Sequence, residues 1–277
     1  MTFHARAIGP TIGLEITGIT GSDLVDREVA DHLLESLDRH GVVVYRDAFL
    51  DDADLVALTH MLGDAVIAPR GNLAGHPEVA AISLDPAKDP LAEYRKGTFF
   101  WHLDGAQDLT PQKATLLVAL EVAETGGGTE FANTFAAYEA LPDDDKDLIA
   151  GLRVRHQLAA TQRLVHPDPT PKQLAAWASV PDREHPLVWT RPDGRKSLLI
   201  GATAGEIVGW SPERGRALLD RLLAWATQPR FVLQHQWRPG DLVAWDNTGL
   251  LHRAQPYEAT SRRLLHRTTL AGDHAVA

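Results

Sequence analysis

Cysteine is absent from this chain of 277 residues, and its absence excludes several kinds of chemistry. Without thiols there can be no disulfide, no cysteine-ligated zinc, no iron–sulfur cluster and no thiol nucleophile. A metal site would therefore have to be built from nitrogen and oxygen ligands. The 13 histidines make such a site worth looking for.

Long apolar runs and an excess of positive charge are also missing. No stretch approaches the roughly 18 to 20 apolar residues of a membrane-spanning helix, and the first residues do not resemble a signal peptide. We therefore expect a cytoplasmic protein with no membrane partner. The 27 basic and 37 acidic residues give a net charge of −10, which repels phosphate backbones, so nucleic acid is not expected as a partner.

Helical patterns occur mainly in the first quarter of the chain. Residues 22–40 carry apolar side chains on one face, with Ser22 as the expected N-cap and Gly41 at the position of a terminating glycine. Further helices are predicted over 52–62 and 211–227, and over 134–151, where Pro142 starts a second helix.

Short strand patterns dominate the second half, and the length fits one domain over 1–277. Two proline-containing stretches, 63–100 and 156–186, have little periodicity. We expect the first to form long loops around one strand near 79–84, and both to act as loop or lid insertions. The whole pattern predicts a mainly β protein with helical decoration, built as a sandwich or jelly roll.

The most informative motif is His102-Leu103-Asp104. On a strand, residues i and i+2 point to the same face, so the imidazole and the carboxylate would lie side by side. His252, just after an apolar stretch, is the best candidate for a third ligand. Two histidines and one carboxylate form the metal site of non-heme Fe(II) oxygenases. A zinc hydrolase or a non-catalytic jelly-roll protein remains an alternative, because such a tripeptide alone is common.

Two arginines and a threonine could supply an anion site. Arg263 and Arg267 are four residues apart and would share a face of a strand, and guanidinium groups bind carboxylates through two parallel hydrogen bonds. Thr129 follows a run of three glycines and could offer its hydroxyl to the same carboxylate. The alternatives are a solvated basic sheet edge and an ordinary strand threonine.

Taken together, these motifs resemble those of the taurine / 2,4-dichlorophenoxyacetate dioxygenase family. The resemblance rests on His102-x-Asp104, the segments 127–131 and 240–247, His252 and Arg263, and it covers nearly the whole chain. Members of that family are Fe(II)- and 2-oxoglutarate-dependent oxygenases with a double-stranded β-helix (jelly-roll) core. The resemblance therefore implies this fold and the use of Fe(II), 2-oxoglutarate and O₂.

The same resemblance assigns roles to individual residues. It implies that His102, Asp104 and His252 are the iron ligands, and that Thr129 and Arg263 hold the distal carboxylate of 2-oxoglutarate. The three iron ligands would also be the catalytic residues. The cosubstrate pair argues against a zinc hydrolase, which has no use for it.

The substrate side of the site differs from that of taurine-specific members. Arg267 matches the arginine that meets the anionic group of the substrate, but Ala68 stands where a histidine is expected and Thr98 where an asparagine is expected. Thr98, Arg70 and Lys96 are candidates to bind a different acid, and surface charge is the alternative reading for Arg70 and for Lys96.

The segments 136–142, 194–202 and 230–232 look more like the phenoxyacetate branch of the family. We therefore expect hydroxylation of a small anionic acid of the aryloxyalkanoate type, with ether cleavage and release of succinate and CO₂. The alternatives are an alkyl sulfate, an alkyl sulfonate or an amino-acid-derived acid. The family resemblance also predicts a homo-oligomer, either a dimer or a tetramer.

Overall fold

The computed structural model describes residues 3–67 and 71–276. Its strands are β1 His4–Ala7, β2 Leu14–Thr17, β3 Val42–Tyr45, β4 Asn72–Leu73, β5 His76–Ile82, β6 Ala114–Glu121, β7 Thr129–Asn133, β8 Arg153–His156, β9 Arg183–Pro186, β10 Val188–Thr190, β11 Lys196–Leu198, β12 Ala204–Ile207, β13 Val232–His235, β14 Leu242–Asp246, β15 Leu250–Ala254 and β16 Leu264–Leu270. The α-helices are α1 Arg27–His40, α2 Asp52–Leu62, α3 Ala92–Arg95, α4 Thr134–Glu139, α5 Asp143–Ile149, α6 Leu158–Val165, α7 Pro171–Ala178 and α8 Pro212–Ala226. No helix within these ranges is long and apolar enough to cross a membrane.

A large sheet organises the described residues. Eight strands join it in the order β1-β2-β3-β14-β6-β16-β5-β4, and all neighbours are antiparallel except β2 and β3. The strands β3 and β14 are buried along their whole length. Apart from Asp246 at the end of β14, their sequences are runs of apolar residues without alternation, which is expected for strands covered on both faces.

Different elements cover the two faces of this sheet. On one face, α1 and α2 pack leucines such as Leu33 and Leu58 against Val43 and Leu116. On the other face lies a three-stranded sheet in the order β13-β7-β15, whose Phe131 packs into the same apolar cluster as strands of the large sheet. The space between the two sheets is where the predicted site residues meet.

The first helix begins later than predicted. Residues 21–24 form a short 3-10 helix, and α1 starts after Asp26, whose carboxylate accepts hydrogen bonds from the backbone amides of Glu28 and Val29. The prediction of Ser22 as the N-cap is therefore wrong, because Asp26 satisfies the first free amides of the helix. Gly41 ends the helix at φ 69°, as predicted.

The two predicted insertions are more regular than the sequence suggested. The segment 63–100 contains β4, β5, α3 and a 3-10 helix at Lys96–Phe99, and the segment 156–186 contains α6, α7 and β9. The expectation of long loops around a single strand is wrong for the first segment. The two segments touch at Gly97, where a Cβ atom would lie 3.1 Å from Cγ2 of Thr161. This close approach packs α6 against the 3-10 helix beside the site.

Candidate active site

The two histidines of the predicted metal site are joined through their backbones. His102 and His252 form an isolated antiparallel bridge, with N–O distances of 3.0 and 2.9 Å, and their ring centroids are 4.1 Å apart. The expectation that His102 and Asp104 share the face of a strand is wrong, because a 3-10 helix ends at Phe99 and a turn follows Leu103. Pairing with β15, which the sequence did not predict as a strand, places His102 instead.

Asp104 nevertheless reaches both histidines. Its Oδ1 lies 3.9 Å from Nε2 of His102, and its Oδ2 lies 3.7 Å from Nε2 of His252. One ligand atom from each of the three residues falls within 4.8 Å of the others, and no second such group of histidines and carboxylates occurs among the described residues. These separations fit a single ion held by three side chains.

The hydrogen bonds of His102 leave the correct nitrogen free for a metal. Its Nδ1 lies 2.8 Å from the carbonyl oxygen of Phe100 and must carry the proton of that hydrogen bond. The lone pair is therefore on Nε2, the nitrogen that faces Asp104. A backbone carbonyl that fixes the tautomer in this way is a common companion of metal-binding histidines.

The electrostatics of the cluster also suit a cation. Burial, reinforced by the neighbouring charges of His102 and Arg267, lowers the pKa of His252 to about 3, so its imidazole is neutral at ordinary pH. Burial alone would raise the pKa of Asp104, but His252, Arg267, His102 and the hydroxyl of Thr115 together hold this pKa well below its usual range. Neutral imidazoles and an ionised carboxylate are the protonation states that bind a divalent metal.

Arg263 lies in the same cavity and lacks an anionic partner. Its side chain is buried, and Nε donates to the carbonyl oxygen of Gly127 at 2.9 Å. The hydroxyl of Tyr257 is 3.5 Å from Nη1, and no carboxylate in the described residues pairs with the guanidinium. Burial lowers the pKa of Arg263, because removing its charge from water is unfavourable. A bound carboxylate would compensate this buried charge.

Thr129 opens β7 on the wall of the same cavity. Its Oγ1 accepts a hydrogen bond of 3.0 Å from the indole nitrogen of Trp237. The hydroxyl proton is therefore free to point to a ligand oxygen. The glycine run before it brings the loop close to the arginine, since a Cβ atom on Gly127 would lie 3.0 Å from Cδ of Arg263.

The predicted substrate residues behave differently from one another. Arg267 lines the cavity, and its Nη1 lies 3.7 Å from Oδ2 of Asp104. Thr98 also lines the cavity, but its hydroxyl already donates to the carbonyl oxygen of Arg95 at 2.7 Å. Lys96 is not brought to the cavity wall and pairs with Glu93 at 2.8 Å. Arg70 and Ala68 lie outside the described residues.

Arg95 is a residue of the cavity wall that sequence reasoning missed. Its side chain is only 7% exposed; Nε donates to the carboxylate of Asp89 at 2.7 Å and Nη2 to the carbonyl oxygen of Ala81 at 3.1 Å. In the sequence it stands beside Tyr94 and Lys96 and looks like part of a polar surface helix. Only the tertiary fold turns it towards the site.

Comparisons with known proteins agree with this geometry. The family model "Taurine catabolism dioxygenase TauD, TfdA family" matches residues 4–269. The alpha-ketoglutarate-dependent 2,4-dichlorophenoxyacetate dioxygenase of Burkholderia sp. (strain RASC) is 34% identical over 282 residues, covering 97% of this chain and 93% of that protein. An alkylsulfatase of Acinetobacter baylyi is 30% identical over 275 residues, covering 97% of this chain and 84% of that protein. The crystal structure of AAD-2 in complex with Mn(II) and N-oxalylglycine matches with a TM-score of 0.84, 30% identity and 100% coverage of both chains.

The fold, the cluster and these similarities define the class of the protein. It is a 2-oxoglutarate-dependent dioxygenase, an oxidoreductase that uses Fe(II), 2-oxoglutarate and O₂. More specifically, the chain belongs to the TauD, TfdA family of dioxygenases. The predictions of family, activity and cofactors made from the motifs are confirmed.

Proposed function

We propose that the enzyme hydroxylates a small organic acid of the aryloxyalkanoate type at the carbon between its carboxylate and its ether oxygen. The observation that carries this proposal is the position of Arg267, whose guanidinium lies 3.7 Å from a carboxylate oxygen of Asp104. A substrate carboxylate held by Arg267 would place the adjacent carbon beside the metal. The 2,4-dichlorophenoxyacetate dioxygenase among the relatives supports the same substrate class.

In this proposal His102, Asp104 and His252 hold Fe(II), and Thr129 with Arg263 holds the distal carboxylate of 2-oxoglutarate. Fe(II) couples the oxidative decarboxylation of 2-oxoglutarate by O₂ to hydroxylation of a substrate C–H bond, giving succinate and CO₂. The protein binds both organic acids and positions them. The hydroxyl of Thr129 and the N–H groups on the two terminal nitrogens of Arg263 would donate hydrogen bonds to the distal carboxylate of 2-oxoglutarate. The buried walls exclude water.

The cavity walls fit an acid with an aromatic body. Arg95 faces the cavity beside Arg267, and the two guanidinium groups would share the substrate anion. The pair of Arg95 with buried Asp89 keeps the local charge balanced before substrate binds. Apolar and aromatic side chains complete the wall, among them Leu84 and Phe99. Hydroxylation beside an ether oxygen forms a hemiacetal, which breaks down to a phenol and an oxo acid.

The same site suits an alkyl sulfate as a second candidate substrate. Two arginines on one wall can bind a sulfate group as well as a carboxylate. The alkylsulfatase of Acinetobacter baylyi supports this alternative. A zinc-dependent hydrolase is disfavoured, because it would leave the buried Arg263, which pairs with no carboxylate of the described residues, without an anion to bind.

We further infer that the core is the predicted double-stranded β-helix. The support is the way in which the chain alternates between the facing sheets: β6 and β16 belong to the large sheet, whereas β7, β13 and β15 form the small one. A single domain over 1–277, a homo-oligomer and a cytoplasmic location stay predictions.

A substrate panel tests the proposed function. Purified enzyme with Fe(II), ascorbate and 2-oxoglutarate is given an aryloxyacetate, an alkyl sulfate, taurine or no substrate, and succinate is measured. We expect the largest substrate-dependent release with the aryloxyacetate, together with the free phenol, and none from His102→Ala. Greater turnover of the alkyl sulfate would favour the second candidate. Equal release with and without every acid in the panel would contradict both.

A further inference from the structure

A chain of three hydrogen bonds leads from the interior of the large sheet to Asp104. The indole nitrogen of Trp245 donates to Oδ1 of Asn247 at 3.0 Å, and Nδ2 of Asn247 donates to Oγ1 of Thr115 at 2.9 Å. The hydroxyl of Thr115 then donates to Oδ2 of Asp104 at 2.9 Å. The residues Trp245, Asn247 and Thr115 are buried, at 2%, 0% and 0% exposure. We call these three residues the relay.

Strand pairing and the backbone hold the relay in place. Thr115 lies on β6 directly opposite Trp245 on β14. Asn247 follows the end of β14, and its backbone amide donates to the carbonyl oxygen of Lys113 at 2.9 Å. The relay is therefore fixed by the rigid centre of the large sheet rather than by a loop.

The direction of every bond in the relay is set at its indole end. An indole nitrogen can only donate, so Asn247 must present its oxygen to Trp245 and its amino group to Thr115. Because Oγ1 of Thr115 already accepts that bond, its one proton is left for Asp104. Turning the amide over would bring two donors together at the indole and would leave the carboxylate without this partner.

We propose that the relay holds Asp104 in the orientation in which its carboxylate faces both His102 and His252. This inference rests on the proposed function, in which Asp104 is an iron ligand. The hydroxyl of Thr115 donates to Oδ2 at 2.9 Å, and the same oxygen lies 3.7 Å from Nε2 of His252, while Oδ1 lies 3.9 Å from Nε2 of His102. Trp245, Asn247 and Thr115 are thus positioning residues.

The affinity of the protein for Mn(II) without cosubstrate, measured by calorimetry, is the direct test. Thr115→Val keeps the shape of the side chain but removes the hydroxyl. We expect its affinity for Mn(II) to fall by about 10- to 100-fold, which is the usual effect of losing such an outer partner of a metal ligand. Thr115→Ser keeps the hydroxyl and should stay within about threefold of the wild type.

A matched control separates positioning from packing. Thr268 is also a buried threonine of the large sheet, and its hydroxyl lies 2.7 Å from that of Thr59 on α2, away from the cavity. Thr268→Val should lower thermal stability and leave the Mn(II) affinity unchanged. If Thr115→Val also lowers thermal stability and leaves the Mn(II) affinity unchanged, the proposed role of the relay is overturned.

Two further variants keep the result decisive. If Thr115→Val does not fold, Trp245→Phe removes the indole donor together with part of the ring that packs against His252, and a wild-type Mn(II) affinity in that variant would overturn the proposed role of the relay. His102→Ala tests the proposed function separately. Loss of Mn(II) binding in His102→Ala, with wild-type binding in Thr115→Val, would contradict the proposed role of the relay and leave the ligand assignment standing. Wild-type binding in His102→Ala would contradict the ligand assignment itself.

Discussion

Replacing Arg263 by lysine should weaken 2-oxoglutarate binding far more than it weakens anything else. In the structure the guanidinium has two tasks: Nε donates to the carbonyl oxygen of Gly127 at 2.9 Å, and the terminal nitrogens remain for a ligand. The side chain is 3% exposed, so water cannot take over either task. A lysine ammonium keeps the charge, but it cannot donate a hydrogen bond to the carbonyl oxygen of Gly127 and also donate two parallel hydrogen bonds to a carboxylate.

The size of the effect follows from these contacts. A hydrogen bond to a charged group contributes about 1.5–3 kcal/mol. The substitution either removes one such hydrogen bond to the carboxylate of 2-oxoglutarate or leaves the buried carbonyl oxygen of Gly127 without a donor. We take about 3 kcal/mol as the combined loss, which corresponds to roughly a 150-fold increase in the Kd for 2-oxoglutarate.

Anaerobic calorimetry of 2-oxoglutarate binding to the Mn(II)-loaded enzyme measures this Kd. Arg262 offers a matched control, since it is the adjacent arginine, 86% exposed, and pairs with Glu121 at the surface. Arg262→Lys should leave the Kd within about twofold of the wild type, as expected for an exposed ion pair. An increase in Kd below about threefold in Arg263→Lys, or an equal increase in both variants, would refute the reasoning. The loss of a two-point contact with a buried guanidinium should weaken binding by more than that.

Two further outcomes are expected. Arg95→Met should raise the KM for the organic acid roughly tenfold or more and change the KM for 2-oxoglutarate little, in steady-state succinate assays, because Arg95 is proposed to contact the anion of the substrate and not 2-oxoglutarate; an equal rise in both would contradict this role. Burial lowers the pKa of His156 to about 3 from 6.5, so the folded protein keeps this imidazole neutral while the unfolded chain takes up a proton. Its contribution to stability is therefore intact above pH 6.5 and falls as the pH drops towards 3, by about 2 kcal/mol at pH 5. His156→Asn removes this proton uptake, so urea unfolding from pH 8 to pH 5 should show a smaller loss of stability than in the wild type; parallel curves for the two proteins would count against a buried neutral His156.

The chemistry of the site was more accessible from the sequence than its local structure. His102, Asp104 and His252 converge within 4.8 Å, as the motif predicted, yet the reason given for His102 and Asp104 was wrong. They do not share the face of a strand; His102 pairs with His252 through an isolated bridge, and the turn that follows brings Asp104 back. Pairings between residues so far apart leave no periodic signal in either segment.

Helices were predicted well where local signals start and end them. Gly41 was identified correctly as the end of α1, and the helix predicted over 211–227 is α8, because a cap needs only a few neighbouring residues. The strands β7 and β15 were missed, although they carry Thr129 and His252. Both are short and almost wholly buried, so they lack the alternation by which a half-exposed strand is recognised.

The sequence by itself determined which atoms are available. The absence of cysteine and the motif His102-x-Asp104 limited the metal to nitrogen and oxygen ligands. The spacing of Arg263 and Arg267 limited the substrates to small anions. The tertiary structure alone decided how those atoms are held. The pairing of β6 with β14 aligns Thr115 with Trp245 and fixes Asp104, and the folding of 63–100 turns Arg95 inward. The physical reason is that hydrogen-bond direction and burial depend on contacts between distant segments, whereas ligand chemistry belongs to each side chain on its own.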